Sequence, residues 1–177
     1  MIGKHLPRYA EFLEDYGELS EDLLERSRPG SINLPNDVFI RKAKKTDLNR
    51  IMDIFNSISN EDQKFLAYKI KAPLIRQIIK SERHCYVTIH NNRIVGFLRE
   101  SGRPEGFSLL EEIVVHPEYR GYGVATKLLK YYHRLFHKTM AKTVASNHKM
   151  INILTKYGYK AVNPDSPRII NWVRVEE

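Results

Sequence analysis

The residues best suited to chemistry lie in one short stretch: Glu111 and Glu112, then Ile113, Val114 and Val115, then the run Arg120-Gly121-Tyr122-Gly123-Val124-Ala125. Glycines at alternate positions let backbone amides approach an anion closely, and a helix starting there aims its N-terminal donors and dipole at the same point. That arrangement suits a pyrophosphate. Arg120 adds a fixed charge whose fork of donors matches phosphate oxygens better than an ammonium does; the competing reading is a surface arginine in a tight turn. The run differs from the dinucleotide-binding G-x-G-x-x-G, because Thr126 stands where a third glycine would be, and it lacks the G-K-[ST] of a nucleotide P-loop. A Gly-x-Gly alone is a weak signal, so the surrounding elements must supply the specificity.

Periodicity locates those elements. VFIRKA alternates like a strand, and Leu48, Ile51, Ile54, Phe55 and Ile58 then fall on one helical face, with Thr46 and Asp47 as N-cap candidates. A second helical stretch covers about residues 60–80 and is interrupted by Pro73. CYVTIH and RIVGFLRE, joined by Asn91-Asn92, predict an antiparallel hairpin, since Asn tolerates the positive φ of a tight turn. SLLEEIVV is a strand leading straight into the glycine loop, and Leu128, Leu129, Tyr132, Leu135 and Phe136 mark the helix that follows. A strand at 139–144, a helix at 148–156, a turn at Gly158 and the strand RIINWVRVE complete the chain, the last strand dividing in two if PDSP is a break. The order predicts an α/β fold, a central mixed sheet of six or seven strands with helices on both faces.

The 177 residues, 42% of them hydrophobic, fit one globular domain, placed at residues 37–177. Residues 1–36 form an appended extension: two short patterns of helical spacing, around 9–16 and 20–25, end in the breaker-rich RPGSINLPND. A packing arm, a lid and a partner-binding arm all fit it. The extension holds four basic against seven acidic side chains, so its charge is −3 and the rest of the chain carries +11 of the overall +8. Such a surplus suits an anionic partner, a phosphorylated cofactor or a nucleic acid. The single Cys85 cannot form an internal disulfide and reads as a core thiol. With neither a secretory signal nor 18 consecutive apolar residues, the expectation is a soluble, cytoplasmic protein with no membrane partner and no metal, either a monomer or a homodimer.

IVVHPEYRGYGVATKLL closely resembles the acetyl-coenzyme A signature of the GNAT superfamily of N-acetyltransferases, whose core is Arg/Gln-x-x-Gly-x-Gly/Ala. The resemblance extends to VFIRKAKKTDLNRIMDIF, to the hairpin and to NHKMINILTKYGY, covering about residues 37–177. It implies a GNAT-type fold that uses acetyl-coenzyme A. Residues Arg120, Gly121, Tyr122, Gly123, Val124 and Ala125 would hold the pyrophosphate, and Thr126 would add a hydroxyl. Ile113, Val114 and Val115 would bond the pantetheine from a strand splayed from its neighbour, and Asn147 would contact the pantetheine or cap a helix.

Amide formation from a thioester needs a neutral amine, a donor for the oxyanion and a proton for the thiolate, but no enzyme nucleophile. Relatives that act on amines place acidic residues where Glu111 and Glu112 stand. Strand neighbours point to opposite faces unless a bulge intervenes, which favours Glu112 as the amine-binding residue or water-assisted base, with Glu111 second. Ion-paired strand carboxylates are the plainer alternative. His116 is a lesser candidate, at a position read as solvated. The family's usual tyrosine acid is absent: Leu154 occupies its place, and Tyr157, three residues on, points elsewhere on a helix. Trp172 and the Tyr131-Tyr132 pair read as packing residues. The leading expectation is acetylation of a primary amine, on a small molecule or on a protein lysine or N-terminus. The alternatives are acetylation of an aminoacyl-tRNA or other nucleic-acid-linked amine, and a non-catalytic module that binds coenzyme A or nucleic acid.

Overall fold

The computed structural model describes residues 38–65, 85–166 and 168–176. The acidic extension, the boundary at residue 37 and the helical stretch beyond residue 65 with its break at Pro73 lie outside the described residues.

The strands are β1 (Phe39–Lys42), β2 (Cys85–His90), β3 (Arg93–Gly102), β4 (Ser108–Val115), β5 (Lys138–Val144), β6 (Lys160–Ser166) and β7 (Ile169–Val175). They form one seven-stranded mixed sheet in the order β1-β2-β3-β4-β5-β7-β6, antiparallel except where β4 meets β5. The helices are α1 (Leu48–Asn56), α2 (Asn60–Gln63), α3 (Val124–Leu135) and α4 (His148–Lys156). The seventh strand arises because the chain does divide near PDSP, β6 and β7 pairing as a hairpin. Asn91 and Asn92 adopt φ of 47° and 59°, the positive values that the two-residue turn between β2 and β3 demands.

Each face of the sheet has its own core. On one, α1 buries Ile51, Ile54 and Phe55 against Val87, Ile94, Phe97 and Val114. On the other, α3 and α4 bury Leu128, Leu129, Tyr132 and Leu154 against Val95, Leu98, Leu110 and Trp172. Cys85 belongs to the first core, and burial pushes its thiol up to about 12.

Asp47 takes the N-cap position of α1 but makes no capping bond with its side chain. Its carboxylate turns back to accept from Arg41 at 2.6 and 2.9 Å and from the Lys44 amide at 2.7 Å. Burial works against the ionised form, yet these bonds outweigh it and hold the carboxyl below its usual range.

Candidate active site

The strand SLLEEIVV folds as two unlike halves. Ser108, Leu109 and Leu110 are paired on both sides, to β3 and, in parallel, to Thr139, Met140 and Ala141 of β5. After Leu110 the register with β3 shifts, so that Arg99 faces Glu112 and Glu100 faces Leu110, leaving Glu111 as the extra residue of a β-bulge. From there β5 leaves β4, its Lys142, Thr143 and Val144 pairing with β7 alone. Residues 111–115 therefore keep β3 on one edge and, among the described residues, have no strand on the other. A row of backbone donors and acceptors is left along that edge, to which an extended amide-bearing ligand can add as a strand.

The loop at the end of this half leads into the start of α3. Pro117 to Tyr119 form a single 3-10 turn, and Gly121 and Gly123 follow with φ of 82° and 77°, values that L side chains adopt only with strain. Gly123 is the N-cap of α3 and supplies no side-chain cap; the first intrahelical bond runs from the Lys127 amide to the Gly123 carbonyl at 2.9 Å. The amides of Val124, Ala125 and Thr126 consequently have no acceptor within the helix and point out of its end. Gly121 and Gly123 are exposed, and a Cβ at either would meet nothing, so backbone conformation rather than space requires glycine at both.

Arg120 is held at this rim by two acceptors. Its Nε donates to the Val115 carbonyl at 3.3 Å and its Nη1 to Asp62 of α2 at 2.5 Å. That bond lowers the Asp62 carboxyl below its ordinary range.

The bulge changes where the two glutamates sit. Alternation predicted opposite faces; with Glu111 as the extra residue, both carboxylates reach the same guanidinium. Arg99 donates to Glu112 from Nε at 2.7 Å and from Nη2 at 3.0 Å, and its Nη2 lies 3.8 Å from Glu111. Glu111 also accepts from Ser101 Oγ at 2.5 Å and from Arg103 at 3.1 Å. Their side chains differ in access, 3% exposed for Glu112 and 18% for Glu111. Arg99 and the bulge were the parts that sequence reasoning missed. An arginine at an apolar strand position, directly before Glu100, was the available signal.

The other candidates are placed less ambiguously. His116, read as solvated, is 12% exposed at its side chain and caps the 3-10 turn, its Nδ1 lying 3.4 Å from the Glu118 amide. With Arg50, Asp53, Asn92, Arg93 and Ile94 it lines a cavity of about 250 Å³ on the α1 face. Asn147 caps α4, its Oδ1 accepting from the Met150 amide at 3.2 Å. Leu154 is fully buried in the α3–α4 core. Tyr157 packs against His133 near the far end of α3, with ring centroids 5.7 Å apart, well away from the glycine loop. Trp172 and Tyr132 are core residues; Tyr131 is half-buried against Tyr86, with ring centroids 5.5 Å apart.

Residues 48–159 match the model of the acetyltransferase (GNAT) family. Solved structures agree on the fold at low identity. An acetyltransferase of the GNAT family from Bacillus cereus is 24% identical, with a TM-score of 0.62 over 79% of this chain and 98% of that one. The ribosomal-protein-S18-alanine N-acetyltransferase from Escherichia coli is 16% identical, with a TM-score of 0.63 over 79% and 95%. The PaiA N-acetyltransferase from Thermoplasma acidophilum, in complex with coenzyme A, is 13% identical, with a TM-score of 0.64 over 78% and 98%.

Proposed function

The chain belongs to the GNAT family of acetyltransferases, and from that premise we propose that it transfers acetyl from acetyl-coenzyme A to a primary amine by direct attack. One observation carries this reading: the uncapped N-terminus of α3 lies next to the end of the open edge of residues 111–115, because Gly96, paired with Val115, faces Val124. The donors of that site fit the cofactor in chemistry and order. Amides at 121–126 with Arg120 would hold the pyrophosphate, and the free edge of Ile113, Val114 and Val115 would bond the pantetheine amides. Acetyl-coenzyme A supplies a thioester that an amine attacks without a covalent enzyme intermediate.

What this chain adds is control of charge. Glu112 is bidentate to Arg99 and almost sealed from solvent, so both its oxygens are occupied in fixing the guanidinium. Glu111 shares that guanidinium more loosely and keeps a solvent-facing side, so it is the carboxylate that can attract an ammonium and accept its proton through water. Leu154 offers no proton to the departing sulfur, which leaves as thiolate or is protonated by solvent; a free thiol titrates at about 8.5.

The acceptor is an amine on a small molecule or on a protein lysine or N-terminus. Charged tRNA belongs among the acceptors tested, because the chain outside the first 36 residues carries +11. The deciding experiment measures thiol release from acetyl-coenzyme A with an amine panel, with peptides and with charged tRNA, alongside calorimetric binding of coenzyme A. Binding without turnover on any acceptor would favour the non-catalytic module. Once an acceptor is found, Glu111→Gln should lower turnover roughly hundredfold with coenzyme A affinity intact, within the usual range for a proton-transfer residue. Wild-type turnover in that variant would remove Glu111 from the chemistry.

A further inference from the structure

We propose that Gly96, in the middle of β3, is a positioning residue for the cofactor, its missing side chain setting the height at which the first turn of α3 rests on the sheet. Gly96 pairs with Val115, the last residue of β4, and with Thr88 of β2. Its backbone does not require glycine: it has no cis bond and no positive φ. Space does. A Cβ built on it would stand 2.8 Å from Cγ1 of Val124, 3.1 Å from Cδ1 of Leu128 and 3.2 Å from Oγ1 of Thr88. Carbon atoms settle at about 3.5–4.0 Å, so the helix end would have to rise by about 1 Å.

The side chains concerned have little room to turn aside, since a valine in a helix keeps essentially one χ1 rotamer. Val124 is 1% exposed, and Leu128 and Thr88 are fully buried. Eight residues further along α3, Tyr132 is fixed from its hydroxyl to the Ser108 carbonyl at 2.9 Å and to Ser108 Oγ at 3.0 Å. At ~1.5 Å per residue the lever from Tyr132 to Val124 is about 12 Å, so lifting one end by about 1 Å tilts the helix by roughly 5°. Hydrogen bonds to phosphate oxygens hold only near 2.7–3.2 Å, and that displacement takes the amides of Val124, Ala125 and Thr126 out of range. Val124 is the first residue of α3, so the contact that Gly96 makes possible lies directly under the donors.

This inference rests on the proposed cofactor site, and the test keeps the two apart. Calorimetry with coenzyme A on the wild-type chain tests the site. Gly96→Ala should then raise the Kd for coenzyme A about tenfold, and adding Val124→Ala, which removes the obstructing Cγ1, should recover most of that loss. Leu154→Ala serves as the control for packing loss alone: it should lower the melting temperature at least as much while shifting the Kd less than twofold. An unchanged Kd in Gly96→Ala beside a binding wild type would overturn the role of Gly96 and leave the site standing. A wild type that does not bind would overturn both. If Gly96→Ala does not fold, the double variant decides, since a folded double variant that binds supports the seat and one that fails to bind overturns it.

Discussion

The two ends of α3 are built to opposite specifications. At Gly123 the helix begins in a left-handed residue, exposed, with no side-chain cap and with its first amides lacking an acceptor inside the helix. At the other end Tyr132 and His133 are buried, Tyr132 bonded to Ser108 and His133 Nε2 lying 3.0 Å from the Tyr159 hydroxyl, with the Tyr157 ring tilted beside it. Bare donors at one end are tolerable because the other end already fixes the helix. The contrast teaches that binding strength and folding strength are separated along a single element, so substitutions at the two ends should fail in different assays.

The largest separation is expected at the start of the helix. Gly123→Glu puts a side chain on a φ of 77° and a carboxylate where an anion belongs; coenzyme A affinity should fall about a thousandfold, or about 4 kcal/mol. Circular dichroism should show the same fold, and retained affinity would refute the cradle.

At the far end the sensitive variable is pH. Burial, with Arg174 acting in the same direction and Glu176 against it, pushes the His133 imidazole down to about 4. The rings of Tyr132, Tyr157 and Tyr159 pack around it. Between about 6.5 and 4 the unfolded chain binds a proton that the folded chain refuses, so stability is full above 6.5 and falls as the pH drops toward 4. The loss attributable to this residue is of order 3 kcal/mol. Denaturant melts of wild type and His133→Asn at pH 7 and pH 4.5 isolate it, and identical pH slopes would discount the burial.

A smaller effect is expected one residue earlier. Tyr132→Phe removes the bonds to Ser108 and should cost about 1–2 kcal/mol of stability, with a Kd for coenzyme A that moves less than in Gly96→Ala. A larger loss of affinity than of stability would blur the division between the two ends.

Much of this was legible in the sequence. The glycine loop, the Asn91-Asn92 turn and the amphipathic faces of α1 and α3 are local features, and local chemistry dictates them: glycine where φ is positive, apolar residues at helical spacing. SLLEEIVV was legible as a strand but not as two half-strands, because nothing in its own residues records where β5 departs. Glu111 and Glu112 looked like alternating neighbours, and only pairing with β3 creates the bulge that turns both toward Arg99. Asp47 was chosen for the right position and the wrong bond, since Arg41 lies six residues away on a strand whose approach a capping rule does not consider.

By itself, then, the sequence determined that a strand, a two-glycine loop and a helix follow one another. Three things were decided only by the tertiary structure: which edge of β4 stays open, which glutamate remains accessible, and why residue 96 must lack a side chain. Each depends on contacts between segments far apart in the chain, between β4 and β5, Arg99 and Glu112, and Gly96 and Val124. Those distances come into being only when the sheet assembles and α3 is laid across it.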